Sequence, residues 1–198
     1  MEKNICKLCG ITVRMGEKNI LENFSIEIKR GCVTGIAGKS GKGKTTLLRT
    51  IAGLEKHTEG TAEFSYNKLG YVFQEHRLLP WVTLLENTAL PLIRYMRKKD
   101  AEKKAYGALE SVLLDKCADM YPENLSGGMA RRAAIARALA YEPDLLLLDE
   151  PFSGQDSATK KHLIDVLKAY MQNTESSVVL VSHHDEDFDM LSAEVVSL

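Results

Sequence analysis

The sequence predicts an α/β domain, a sheet covered by helices and interrupted by a helical insert. Three stretches carry that prediction. Val33-Thr34-Gly35-Ile36-Ala37 is β-rich, Thr46-Leu47-Leu48-Arg49-Thr50-Ile51-Ala52 is helix-forming, and the segment between them reads Gly38-Lys39-Ser40-Gly41-Lys42-Gly43-Lys44-Thr45. That segment matches G-x-x-x-x-G-K-T/S in the strand–loop–helix setting such a loop requires. Leu145-Leu146-Leu147-Leu148 is apolar on both faces, as expected of a central parallel strand with helices on each side. From about residue 75 to 140 the β character disappears, and Pro80, Pro91 and Pro122 punctuate a helical stretch.

The elements follow in order. Residues 4–37 read as short β segments, with Ile11-Thr12-Val13 and Phe24-Ser25-Ile26-Glu27-Ile28 β-branched or alternating. Met15-Gly16-Glu17-Lys18-Asn19 and Lys29-Arg30-Gly31 are the breaks between them. After the helix, Gly53 and Gly60 bracket a predicted loop; Phe64-Ser65-Tyr66 and Leu69-Gly70-Tyr71-Val72-Phe73 read as two more strands. Ser126 is placed to cap a helix running through Ala133–Leu139. Strands return at Asp144–Asp149, Ser177–Ser182 and Glu194–Leu198, with a helix over roughly Ser157–Met171.

The chain has 198 residues, 44% hydrophobic and 27% charged, enough for one domain with a sizeable core. A net charge of -1 supplies no field drawing it to nucleic acid or an anionic membrane. The basic stretch Arg94, Arg97, Lys98, Lys99, Lys103, Lys104 has only Tyr95 and Tyr106 for base stacking, so it reads as a solvated helix face. No apolar run approaches the ~20 residues of a membrane span, and Met1-Glu2-Lys3-Asn4-Ile5-Cys6 has no signal-peptide core. A cytosolic protein is expected. Cys6-Lys7-Leu8-Cys9 is formally C-x-x-C, but no second ligand pair completes a zinc site. In a strand, residues three apart face opposite ways, so Cys6 and Cys9 are read as small buried hydrophobes.

The glycines of the 38–45 loop let successive backbone N–H groups point inward at phosphate oxygens, and the following helix adds its partial positive charge. Lys44 would reach the β- and γ-phosphates, and the Thr45 hydroxyl would ligate Mg²⁺. A dinucleotide fingerprint on Gly41-Lys42-Gly43 needs glycine at position 46, where Thr46 stands. At the C-terminal end of the apolar strand, Asp149 is placed to hold Mg²⁺ and Glu150 to take a proton from an attacking water. Leu125-Ser126-Gly127-Gly128-Met129 opens a helix with bared N–H groups, a second anion site without a lysine. Two phosphate-facing sites on one chain suggest a nucleotide touched from two sides.

The phosphate loop, Gln74 after a strand, Leu125-Ser126-Gly127-Gly128, Asp149-Glu150 and His183 after Val178-Val179-Leu180-Val181-Ser182 occur in an order and spacing similar to the nucleotide-binding subunit of an ATP-binding-cassette (ABC) transporter. The resemblance covers essentially the whole chain. It implies a P-loop NTPase fold, with a RecA-like core sheet, an N-terminal antiparallel β subdomain and an inserted α-helical subdomain. Residues 1–74 and 141–198 would form the catalytic core and β subdomain, and 75–140 the helical insert within a single ABC ATPase domain.

The resemblance also implies roles. Residues 38 to 45 become the Walker A loop, with Thr46 beside it; Asp149 and Glu150 become the Walker B aspartate and catalytic glutamate. Gln74 would reach the Mg²⁺ and attacking water, and His183 would bond the γ-phosphate. Ser126, Gly127 and Gly128 would contact ATP held by the opposite protomer, with Asp156 in the D-loop. The implied metal ligands are Thr45, Gln74 and Asp149. Two copies would sandwich two ATP molecules with Mg²⁺, head to tail. Permease subunits and an extracytoplasmic substrate-binding protein are the implied further partners, with no nucleic acid. The subunit would lie in the cytoplasm, peripheral on the inner face of the membrane.

This sequence departs from the family pattern at Met129, where the signature usually has glutamine, at Gln155, where an apolar residue is usual, and at Met15, near which an adenine-stacking ring is usual. His184 stands where aspartate is common. The sequence running out at Leu198 leads to the expectation that no regulatory C-terminal domain is present. The segment Tyr71–Trp81, with Leu78-Leu79-Pro80-Trp81 after the glutamine, is similar to importers of the nitrate, sulfonate and taurine group. In that group the region lines the groove for the permease, while the plainer reading packs Trp81 inside the helical subdomain. Glu86–Leu92 is equally similar to ATPases of lipoprotein release, macrolide efflux or cell division, the alternative function. A P-loop small-molecule kinase would leave Gln74, Leu125–Gly128 and His183 without a role. A chromosome-maintenance or translation relative would need a coiled-coil insertion or a second cassette.

Overall fold

The computed structural model describes residues 4–198, so the expectation resting on Met1–Lys3 lies outside the described residues. Strands β1 (Asn4–Met15) and β2 (Lys18–Lys29) form an antiparallel hairpin through the turn at Gly16-Glu17. Strand β3 (Val33–Ala37) runs into the glycine loop and helix α1 (Lys44–Ile51). Strands β4 (Glu59–Phe64) and β5 (Leu69–Val72) follow. The strand-poor stretch holds α2 (Leu84–Ala89), α3 (Lys98–Ser111), three short 3-10 turns and α4 (Gly127–Ala140). Strand β6 (Leu145–Asp149), helix α5 (Ser157–Thr174), β7 (Ser177–Val181), α6 (Asp185–Met190) and β8 (Glu194–Ser197) complete the order.

Two sheets result: an antiparallel one in the order β2-β1-β4, and a parallel one in the order β5-β6-β7-β3-β8. Strand alternation explains the layering. Leu145 and Leu147 join Ile36, Val179 and Val181 in a core shared with α1 and the antiparallel sheet. Leu146 and Leu148 join Val178 and Leu180 on the opposite face, against α4 and α5. Both faces of β6 are thus covered, which is why its sequence is apolar throughout. Each fully buried leucine contributes about 1.5–3 kcal/mol relative to exposure, enough that the register of this strand is strongly specified.

Caps set the helix starts. Ser126 Oγ accepts from Met129 N at 3.2 Å at the tip of α4. Asp156 starts α5 by accepting from Thr159 N at 2.9 Å, and Thr83 with Glu86 forms a reciprocal capping box on α2. The basic stretch lies mainly on the outside of α3, whose buried residues Ala101, Ala105 and Leu109 fall four apart.

Four expectations need correction. Gly60 does not bound a loop but lies inside β4, because two backbones pass too closely there for a side chain. It sits at φ 91, and a Cβ would lie 2.5 Å from the carbonyl oxygens of Cys9 and Gly10, where the register with β1 shifts. The strand expected at Phe64-Ser65-Tyr66 is instead the end of β4, which stops at Phe64; Ser65 turns its N–H to Ile5 O and its hydroxyl to Asn4 O, both at 3.0 Å. Cys9 is exposed rather than buried, since strand alternation turns it to the face opposite Cys6; burial pushes the Cys6 thiol up to about 12. Trp81 is 71% exposed and does not pack inside the helical region.

Candidate active site

The five-stranded sheet delivers the predicted residues to its C-terminal edge, where β3, β6 and β7 end side by side. A cleft of about 350 Å³ opens there, lined by Ser40, Gly41, Gly43, Lys44, Thr45, Thr46, Gln74, Glu150 and His183. Met15 and Ile20, on the β1–β2 hairpin, form its apolar wall. Ile20 carries no sequence signal for this position, because nothing local distinguishes it from a core residue.

Lys44 is 7% exposed, and its Nζ donates to Gly38 O at 2.7 Å and Lys39 O at 3.2 Å. The ammonium is therefore folded into the loop and hydrogen-bonded to its carbonyl oxygens, with no salt bridge to a carboxylate among the described residues. Gly43, at φ 94, seats the loop on β2 at a separation that leaves no room for a Cβ. No acidic side chain occupies the first turn of α1 to oppose an anion.

Thr45 Oγ1 donates to Asp149 Oδ2 at 2.8 Å, joining residues 104 apart in sequence. Asp149 is 1% exposed. Burial raises its pKa above the ordinary carboxylate value, the Thr45 hydrogen bond opposes this, and the neighbouring Glu150 charge adds to it. A buried carboxylate of this kind gains from a nearby cation. Among the described residues no group of three His, Cys, Asp or Glu side chains is placed to hold a metal by itself. The donor set suits a hard cation that keeps waters and takes its remaining oxygens from a phosphate.

Glu150 has φ 51, uncommon for a residue other than glycine, asparagine or aspartate, and its N–H donates to Val181 O at 3.0 Å. Its Oε1 lies 2.7 Å from His183 Nε2. His183 leaves β7 directly after Ser182, whose hydroxyl donates to the buried Asp187; Lys160 of α5 pairs with the same carboxylate. The adjacent His184 instead occupies the N-cap position of α6, without a side-chain capping bond, and does not line the cleft.

Gln74 lies two residues past β5, exposed and lining the cleft. The segment after it is held by its backbone: Arg137 of α4 donates to Arg77 O at 2.9 Å and His76 O at 3.1 Å. Arg77 also sits 4.0 Å over the Phe73 ring. Arg131 of α4 donates to the carbonyl oxygens of Glu150 and, at 3.2 Å, of Gln74. Neither arginine was singled out in sequence, since a basic residue on a helix carries no signal of which carbonyls it will meet.

The remaining predicted residues are not gathered into this cleft. Ser126 and Gly127 are exposed at the tip of α4, and Asp156 is exposed at the start of α5 with both carboxylate oxygens bonded to Thr159. Gln155 Nε2 donates to Gly128 O at 2.9 Å, tying these two segments together. Gly38, Lys39 and Lys42 belong to the loop but do not line the cleft, while Asp149 lies beneath it.

A family profile described as ABC transporter matches residues 21–153. The aliphatic sulfonates import ATP-binding protein SsuB of Bacillus subtilis (strain 168) is 40% identical over 194 residues, covering 94% of this chain and 75% of that protein. The protein of the same description from Corynebacterium glutamicum is 39% identical over 190 residues, covering 96% of this chain and 78% of that one. A dimeric ATP-binding cassette in a post-hydrolysis state bound to ADP and Pi superposes with a TM-score of 0.90 at 34% identity, covering 98% of this chain and 94% of that one.

Proposed function

This chain belongs to the ABC transporter family as an ATP-binding cassette ATPase, and on that premise we propose that it powers import of a small organic anion of the aliphatic-sulfonate type. The observation that carries the reading is a division within one subunit. Lys44, Thr45, Gln74, Glu150 and His183 share a cleft, while Ser126, Gly127 and Asp156 stand exposed outside it. Such a chain completes its site by closing head to tail on a second copy. The dimeric cassette structure it resembles supports that assembly.

In the proposed reaction the loop N–H groups and Lys44 bind the β- and γ-phosphates, and the Ser126–Gly128 tip of the partner copy closes over the terminal phosphoryl group. Thr45 and Asp149, with Gln74, would hold Mg²⁺, which would neutralise charge on the phosphate oxygens. Glu150 takes a proton from water as the water oxygen bonds to the γ-phosphorus. The bond from that phosphorus to the β–γ bridging oxygen breaks, giving ADP and inorganic phosphate. His183 donates to a γ-phosphate oxygen, and its contact with Glu150 at 2.7 Å orients both side chains before nucleotide enters.

The names of the relatives support import over the lipoprotein-release type of reading. Residues 75–140 would meet the permease through the exposed Trp81, and 1–74 with 141–198 would carry the chemistry. Among the described residues no helix is long and apolar enough to cross a membrane, so attachment to the inner face would run through permease subunits. An extracytoplasmic binding protein would deliver the solute. Replacing Glu150 with Gln tests the core of the proposal: ATP should still bind, turnover should stop, and gel filtration with ATP should show a trapped dimer. A variant that hydrolyses ATP at the original rate would remove Glu150 from the chemistry.

A further inference from the structure

We propose that Arg131 is a positioning residue for ATP hydrolysis, its guanidinium clamping the backbones of Glu150 and Gln74 to the helix whose tip is offered to the partner's nucleotide. The inference rests on the reading of Glu150 as general base. One nitrogen of the guanidinium donates to Glu150 O and the other to Gln74 O at 3.2 Å. These carbonyls belong to segments 76 residues apart that both reach the cleft. A planar, permanently charged fork with fixed donor directions suits this task, and a lysine offers only a point donor.

Glu150 needs such support. Its φ of 51 lies in the left-handed region that side-chain-bearing residues rarely adopt, so the surroundings must hold it there. Its N–H is held by Val181 O at 3.0 Å, and its carbonyl by Arg131 and by Ser153 N at 3.3 Å. Without Arg131 that carbonyl keeps only the longer Ser153 bond, and the peptide plane beside the carboxylate-bearing residue loosens. Arg131 also stands only four residues beyond Gly127, roughly 6 Å along α4. Gln155 bonds Gly128 O at 2.9 Å, a second tie from the same tip to the segment following Glu150. A shift of the tip when it meets the partner's nucleotide is therefore delivered to Glu150 and Gln74 of its own subunit.

The experiment compares the full chain with R131M, which keeps a long stem without donors, and R131K, which keeps the charge. Turnover of Mg-ATP, ATP affinity and amide hydrogen exchange are measured on each. The clamp predicts that R131M lowers kcat about tenfold or more, with ATP affinity changed by less than about twofold, and that R131K recovers part of the loss. It also predicts faster exchange confined to residues 74–77 and 150–153, with the phosphate loop as protected as before. Unchanged exchange in those two segments overturns the proposal, as does unchanged kcat. Loosening of the whole chain with parallel loss of affinity also overturns it, reducing Arg131 to a fold-holding residue. The E150Q variant separates the two layers: if it keeps full turnover the base reading fails, whereas a dead E150Q beside a fully active R131M fails the clamp alone.

Discussion

Replacing Gly43 with alanine places a methyl group where the phosphate loop rests on the β-hairpin, and the outcome is calculable. Gly43 sits at φ 94, ψ 13, where a side chain costs about 1–2 kcal/mol. The new Cβ would lie 2.9 Å from the carbonyl oxygen of Ile20, with Leu21 Cδ2 at 3.0 Å and Ile20 Cγ2 at 3.1 Å. The side-chain tips can turn aside, but the carbonyl belongs to β2, which is laddered to β1. Relief to an ordinary C···O separation of about 3.3 Å therefore requires the loop to move by about 0.4 Å. Overpacking of this kind costs about 1–3 kcal/mol.

If the loop stays in place, the two costs, about 2–5 kcal/mol together, fall on stability, and each kcal/mol lowers Tm by roughly 2–4 °C in a domain this size. If the loop moves, the proposed contacts of its N–H groups with the phosphates weaken, and each 1.4 kcal/mol lost weakens nucleotide binding by about tenfold. Calorimetric unfolding with and without nucleotide, together with titration calorimetry, separates the two routes. A G43A chain with Tm within about 1 °C of the original and affinity within about twofold would mean that the Ile20 carbonyl does not confine the loop.

Trp81, 71% exposed on a turn that Asn87 fixes through bonds to Leu79 and Val82, should be dispensable for the isolated chain. W81A is expected to keep basal turnover and lose stimulation by permease subunits; an equal loss of both would return Trp81 to a folding role. Exposed Cys9 should react with a maleimide in the folded chain, while Cys6, with its thiol pushed up to about 12 by burial, should react only after denaturation. Rapid labelling at Cys6 in the native chain would contradict the strand register. Because the pKa of Asp149 is raised, the folded chain binds that proton more tightly than the unfolded one. Its contribution without Mg²⁺ is thus present at acid pH and lost as pH rises from the ordinary carboxylate value through the raised one. Melting against pH in a chelator should show this slope in the original chain and not in D149N; identical slopes would remove burial as the cause.

Local pattern was enough for much of the molecule. The phosphate loop is legible because its glycines and Lys44-Thr45 act within one turn of chain. The covered strand at Leu145–Leu148 is legible because burial on two faces leaves no polar position. Gly60 misleads for the complementary reason: its glycine answers to the Cys9 and Gly10 carbonyls of another strand, about fifty residues away. Exposure of Trp81 and Cys9 likewise depends on what lies opposite each side chain rather than on the residue's own hydrophobicity.

Sheet-and-helix content, the glycine loop and the acidic strand end are readable from chain order, since each is written in periodicity or in a contiguous motif. That Thr45 meets Asp149, that His183 lies 2.7 Å from Glu150, and that Arg131 spans Glu150 and Gln74 emerged only in the folded molecule. Those contacts join segments far apart along the chain, and their partners are selected by how the parallel sheet brings strand ends together. No spacing rule along one chain encodes such a meeting; the packing of helices on the sheet does.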